Sequence, residues 1–370
     1  LKKHYGGDRR MISARCAHIH GNADFFAQQG RALCQNRNLC QRGCPFGGYF
    51  SSNSSTIPWA LKTGNLTLRP DAVVHSIIYD EEKGKASGVR IIDRLTKEME
   101  EFYADVIFLN AAALNSNLIL MNSTSSRFPN GLGNDNGLLG KYVAFHNYRA
   151  GVSGEFEGLE EYTTTGGRPT SGYFPRFRNV YKQETDFLRG YAAGFSAGRG
   201  VRPNTEGLGM DLKNSLLNPD QYGPWYVGSH MMGETIPKES NYVALDPNLK
   251  DEWGMPQLKI SVEYDDNDEK MVKDYLEQMT EMFEKAGVTN IRTRDDHRAP
   301  GLDIHEMGGV RMGKDPKTSL LNAHHQLHAV PNVYVTDGAS MTSTSTQNPS
   351  LTYMAFAARA AHHAVAESKK

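Results

Sequence analysis

The spacing of apolar and polar positions divides the chain into three textures. Residues 1–63 show weak periodicity and many turn formers, which predicts loops and short helices. From residue 65 the pattern changes to strand. Residues 66–70 lead into a strand over 73–79, a charged turn follows at 80–84, and residues 88–93 and 98–103 read as two more strands. Together these predict a β-meander with solvated edges. Residues 105–109 form a short apolar run, which suits a strand buried on both faces, and a helix over 114–123 follows the turn at Ala111, Ala112 and Ala113. Between 146 and 300, aromatic strands such as 225–227 alternate with Gly, Pro and Asn turns. One helix stands out there: Met271, Val272, Tyr275, Leu276, Met279, Met282 and Phe283 recur at three-to-four spacing, and Gly287 is a natural stop. A second short buried strand over 332–336 and a helix from 349 to about 367 close the chain. The predicted fold class is mixed α/β. Residues 1–145 and 301–370 build one domain, and residues 146–300 form an inserted antiparallel domain.

Two places along this pattern carry candidate chemistry. Asn348 is a favoured N-cap residue and Pro349 suits the first helical position, so the free N–H groups of the last helix face whatever precedes it. Thr336, Asp337 and Gly338 precede it, at the carboxyl end of a buried strand, where ligands of α/β sheets lie. Such a site favours an anion or an electron-rich ring. The second place is His305, set in the Gly-rich stretch His305-Glu306-Met307-Gly308-Gly309. Glycines let backbone pass close to a flat ligand, and a histidine beside it can accept a proton near neutral pH.

Charge and composition narrow the picture. With 41 Lys+Arg against 42 Asp+Glu, the chain offers no broad basic face for nucleic acid. No apolar run approaches the roughly 18–20 residues that cross a bilayer, so no transmembrane segment is expected. Four cysteines in 370 residues are no disulfide scaffold, but Cys34, Cys40 and Cys44 are close in sequence. They read either as packed thiols or a disulfide, which is the weightier reading, or as ligands of an iron–sulfur cluster. None of the 13 histidines falls in a zinc-ligand spacing.

The motifs around His305, Arg311-Met312-Gly313, the stretch 331–338 and Gln347-Asn348-Pro349 through Thr352 resemble, in order and spacing, the C-terminal signature of the glucose-methanol-choline (GMC) flavoprotein oxidoreductases. Residues 105–123 are similar to the family's second signature, with Ala112 where the family usually has Gly and Asn117 where it usually has Pro. The stretch from Gly131 to His146 looks like the family's lead into the substrate domain. The resemblance implies a doubly wound FAD-binding domain built by both chain ends, and oxidation of an alcohol with hydride passing to FAD. It makes His305 the general base and Asn348 its companion, which orients the substrate oxygen by a hydrogen bond. It places Pro349 and Thr352 at the flavin ring, Asp337 and Gly338 by the ribityl-diphosphate, Ala112 in the cofactor site, and Val74 by the adenine. The glycines and Arg-Met-Gly after His305 look most like the bacterial sugar-oxidising branch, so the expected substrate is a sugar or glycoside. Some members of that branch carry an iron–sulfur cluster in the region of Cys34, Cys40 and Cys44, and pass electrons to a partner protein or small subunit. Either the bacterial cytoplasm or the periplasm suits such an enzyme. The family's opening GxGxxG has no counterpart here. The expectation is therefore that an N-terminal FAD-binding segment is missing and that this chain alone holds FAD weakly or not at all. A carbohydrate-binding or partner-binding module without FAD is the alternative.

Overall fold

The computed structural model describes the whole chain except residues 15, 38–39, 163–170, 200–207, 218–222, 303 and 370. In chain order its elements begin with α1 (Lys2–Tyr5), β1 (Ile12–Ser13), α2 (Ala23–Gln28) and α3 (Thr56–Leu61). Next come β2 (Ala72–Asp80), β3 (Lys85–Asp93), β4 (Met99–Tyr103), β5 (Ile107–Leu109) and α4 (Ala113–Asn122). The middle holds β6 (His146–Asn147), β7 (Ala150–Phe156), β8 (Gly172–Phe174), β9 (Tyr191–Gly198), α5 (Met210–Leu217) and β10 (Trp225–Glu234). Then follow β11 (Tyr242–Lys250), β12 (Pro256–Ser261), α6 (Asp266–Lys285), β13 (Thr289–Asp295), β14 (Val333–Val335) and α7 (Ser350–Glu367).

The meander is β2-β3-β4, antiparallel throughout. Its second connection is an Asx turn, in which Asp93 Oδ1 accepts from Leu95 N and Thr96 N. Beside it, β5 pairs in parallel with β14, Ile107 opposite Val333 and Leu109 opposite Val335. Asn332 locks this pair to the meander: its Nδ2 donates to Ala86 O and Asp105 O, and its Oδ1 accepts from Ala86 N. Ile107, Leu109, Val333 and Val335 join one apolar core with the inner face of α4. The expectation that residues 105–109 are covered on both faces is corrected at Phe108. That side chain is 38% exposed and stacks on Tyr334.

The middle of the chain forms a seven-stranded antiparallel sheet, β1-β8-β9-β10-β7-β13, with β6 also on β10. Helix α6 covers it, burying Met271, Val272, Tyr275, Met279, Met282 and Phe283. Its start is a capping box: Asp265 accepts from Asn267 N and Asp268 N, and Asp268 returns a bond to Asp265 N. The opening residues join this sheet too, since β1 pairs with β8 and Tyr5 packs on its core.

The last helix begins one residue later than the Asn348 cap predicts. Pro349 holds the cap position with φ −88°, and Ser350 is the first helical residue. Asn348 does not cap it; its amide faces His305. Proline's fixed φ makes it as suitable just before the helix as inside its first turn. Among the described residues, no helix is long and apolar enough to cross a membrane.

Candidate active site

The turn from His305 to Gly309 is gripped from three sides. On one side, Met307 and Ala144 exchange both backbone hydrogen bonds at 2.9 Å. In an antiparallel pairing, two residues outward on each strand bring His146 opposite His305. On the second side, Gly308 N donates to Gly338 O at 3.0 Å and Val310 N to Ala339 O at 3.0 Å. On the third, Asn117 of α4 donates through Nδ2 to Gly308 O at 3.1 Å and to its own helix at Ala113 O. This close approach needs glycine. A Cβ on Gly309, whose φ is +87°, would lie 2.2 Å from Asn117 Oδ1, and one on Gly308 would lie 2.2 Å from Tyr142 O. Asn117, in the place usually held by Pro, thus ties α4 to the histidine turn.

His305 itself has φ +69° and is half-buried. Its Nδ1 is 2.8 Å from His146 Nδ1, and its Nε2 is 3.4 Å from Asn348 Nδ2. The two imidazoles meet edge to face, with planes 82° apart. His146 is buried, and its Nε2 lies 3.0 Å from Ser345 O. Burial first, and then the neighbouring His305, pushes the His146 pKa down to about 4. Burial also lowers that of His305. Both rings are therefore neutral at pH 7. His146 was legible in the sequence only as the end of a lead-in stretch; its pairing spans 159 residues and left no local signal.

The remaining predicted residues fall into groups. Pro349, with Ser350, Leu351 and Thr352, opens α7 beside Asn348 with no side-chain cap on the helix. The N–H groups of that first turn have no partner inside the helix. Asp337, Gly338 and Ala112 meet at the carboxyl ends of β5 and β14. Asp337 accepts from Ser116 Oγ and Ala339 N. Burial raises its pKa, opposed by Ser116 and by the backbone N–H groups of Ala339 and Ala112. Val74 stands apart on β2, half-buried against the core. Sequence reasoning also missed Tyr173, which donates to Thr346 O at 2.9 Å and accepts from Gln347 Nε2, next to Asn348.

These residues fit the ring end of a flavin. The groups suit an electron-rich ring: uncapped helical N–H groups and a side-chain amide as donors, with a neutral imidazole beside the amide. The iron–sulfur alternative finds no support in the structure. Among the described residues no group of three His, Cys, Asp or Glu side chains is placed to hold a metal ion. Cys34, Cys40 and Cys44 are thiols, half-buried and not joined by a disulfide. Burial raises the Cys44 pKa, but backbone N–H groups of Tyr49, Phe46, Gly48 and Gly47 outweigh it and leave the thiol below its ordinary value. Burial and then the charges of Cys34 and Cys44 raise that of Cys40, whose Sγ lies 3.3 Å from His18 Nε2.

Comparison with known proteins shows the family. Residues 17–146 and 237–357 match the N- and C-terminal family models of the GMC oxidoreductases. The chain is 30% identical over 339 residues to 2-methyl-1,2-propanediol dehydrogenase of Mycolicibacterium austroafricanum, covering 86% of this chain and 57% of that protein. It is 25% identical to the fructose dehydrogenase large subunit of Gluconobacter japonicus, covering 90% and 59%. Paromamine 6'-oxidase of Streptomyces fradiae is 27% identical, with 93% and 59% covered. The chain thus spans under two thirds of these relatives' length. In fold it is similar to formate oxidase of Aspergillus oryzae, with TM-score 0.60 at 12% identity over 96% of this chain and 72% of that one. With both family models matched and the histidine turn built as described, the chain belongs to the GMC oxidoreductase family, whose dehydrogenases and oxidases act on alcohol or sugar groups.

Proposed function

We propose that this chain carries the substrate-side half of an FAD-dependent oxidation of a CH–OH group, with His305 as general base. The observation that carries the reading is the convergence of His305 Nε2 and Asn348 Nδ2, 3.4 Å apart, beside the uncapped start of α7. A hydroxyl placed between them would give its proton to Nε2 while its oxygen accepts from the amide of Asn348. The His305 pKa, lowered by burial, keeps the ring neutral and ready to accept at pH 7. Pro349 and Thr352 would border the flavin ring, and the free N–H groups there would favour negative charge on it. Asp337, Gly338 and Ala112 would follow the cofactor toward its ribityl-diphosphate, and Val74 would border the adenine. When bound, FAD supplies the hydride acceptor.

The substrate class we propose is a sugar or polyol. Gln347 and Tyr173 add an amide and a phenol at the rim of the His305–Asn348 pair, polar groups suited to further hydroxyls. Fructose dehydrogenase and a gluconate 2-dehydrogenase flavoprotein among the relatives support it. The words "large subunit" and "flavoprotein" in those names also support an electron-accepting partner protein or small subunit. The second reading is a carbohydrate-binding or partner-binding module without FAD.

The test is reduction of bound flavin by a panel of sugars and polyols in FAD-reconstituted protein. His305→Ala is expected to keep flavin absorbance and slow substrate-driven bleaching by about 10²-fold or more. Unchanged bleaching removes His305 as the base. Failure of the wild-type protein to take up FAD while it still binds sugar favours the binding module.

A further inference from the structure

We propose that His146 is a positioning residue that holds His305 in a single tautomer, with the proton on Nδ1 and the lone pair on Nε2 toward Asn348. This deepens the reading of His305 as the base and rests on it. The assignment starts at Ser345. Its carbonyl can only accept, so the His146 nitrogen 3.0 Å away, Nε2, carries a hydrogen. His146 is buried and neutral, so its Nδ1 then has none. Two nitrogens at 2.8 Å need one hydrogen between them, and only His305 Nδ1 can provide it. A neutral His305 protonated at Nδ1 has its lone pair at Nε2, the nitrogen that faces Asn348.

The chain of constraints continues behind His146. Ser345 N donates to Ser343 Oγ at 3.1 Å, and Ser343 Oγ donates to Glu234 Oε1. Glu234 is buried at the end of β10, with Arg176 and Arg189 each 3.6 Å from its carboxylate. In the sheet register Glu234 lies directly opposite His146. One strand pair therefore places both the clamp and the anchor of the loop that orients it. Without that carbonyl, His146 could present Nδ1–H, and His305 would be driven to carry its proton on Nε2, the wrong atom for a base. When His305 takes a proton, its Nδ1–H keeps the same acceptor, so no side chain has to move. Burial of His146 keeps the proton from passing on, and the charge stays on His305.

The test needs neither substrate nor flavin. In two-bond proton–nitrogen NMR spectra of imidazole-15N-labelled protein at pH 7.5 or so, His305 should show a protonated Nδ1 and an unprotonated Nε2. His146 should show the reverse, a protonated Nε2. Wild-type spectra with the His305 proton on Nε2 overturn the proposal. His146→Leu removes the acceptor, and the His305 signals should move to a mixture of tautomers. His146→Gln can accept through its side-chain oxygen and should restore most of the wild-type pattern. A His305 spectrum unaffected by His146→Leu also overturns the proposal. Should His146→Leu fail to fold, the wild-type spectrum still decides. If the tautomer is as assigned but His305→Ala leaves flavin bleaching unchanged, the clamp stands and the base assignment fails.

Discussion

At the scale of single residues, the site is held in backbone conformations that side chains rarely adopt. His305 has φ +69°, and Ala112 has φ +68° with ψ +157°, a region almost reserved for glycine. Ala112 sits at the turn from β5 into α4, where the family resemblance predicts Gly. Strain of this kind is worth about 1–3 kcal/mol, while glycine's extra chain entropy costs about 0.5–1 kcal/mol. Ala112→Gly is therefore expected to stabilise the protein by about 1 kcal/mol, read as a higher urea midpoint at unchanged m-value. A lower midpoint would mean that the methyl group makes contacts worth more than the strain. His305 is left out of this trade, because its imidazole is the proposed base.

At the scale of elements, helix α6 shows local sequence and tertiary packing in agreement. Its apolar face repeats at the helical spacing, and Asp265 and Asp268 close a capping box at its start. Asp265→Ala leaves two first-turn N–H groups without their acceptor and should cost about 1–2 kcal/mol. Equilibrium denaturation checks this, and a loss below about 0.3 kcal/mol would mean that water replaces the cap. Helix α7 is the opposite case. Ala360 and Ala364 are its buried residues, against Tyr334, while Leu351, Met354 and Val365 stay exposed. Its periodicity alone predicts a helix, but not which neighbour covers it. The two short strands of the parallel pair were each legible as apolar runs; their pairing was not, because nothing local specifies partners so distant in the chain.

At the scale of the whole molecule, buried titratable groups of opposite sign shape the response to pH. Burial depresses His146 and His325 to about 4 from the ordinary 6.5. Their folded forms bind fewer protons than the unfolded chain, so the stability they represent is complete above pH 6.5 or so and is lost on acidification toward pH 4 or so. Each is worth up to about 3 kcal/mol. Asp268 has the opposite sign. Burial raises it to about 7, so its contribution is complete at low pH and is lost as pH rises through 7. Between pH 4 and 6.5 or so acidification removes the contribution of these histidines while Asp268 opposes the loss. Asp268→Asn keeps a side-chain oxygen for Asp265 N and removes the opposing proton. It is expected to raise stability at pH 8 or so and to steepen the acid loss, both measured as denaturation midpoint against pH. A variant with the wild-type slope would show that Asp268 is ionised in the folded state.

What the sequence by itself determined is what neighbours along the chain decide. The meander, the long amphipathic helix with its stop, the two short apolar strands and the signature around His305 and Asn348 all rest on spacing and turn chemistry within about 20 residues. Only the tertiary structure brought His146 to His305, took Asn348 out of the cap position of α7, and set Asn117 against Gly309. The physical reason is the same throughout. A hydrogen bond between side chains far apart in sequence constrains three-dimensional distance and atom type, and neither leaves a period or a motif along the chain.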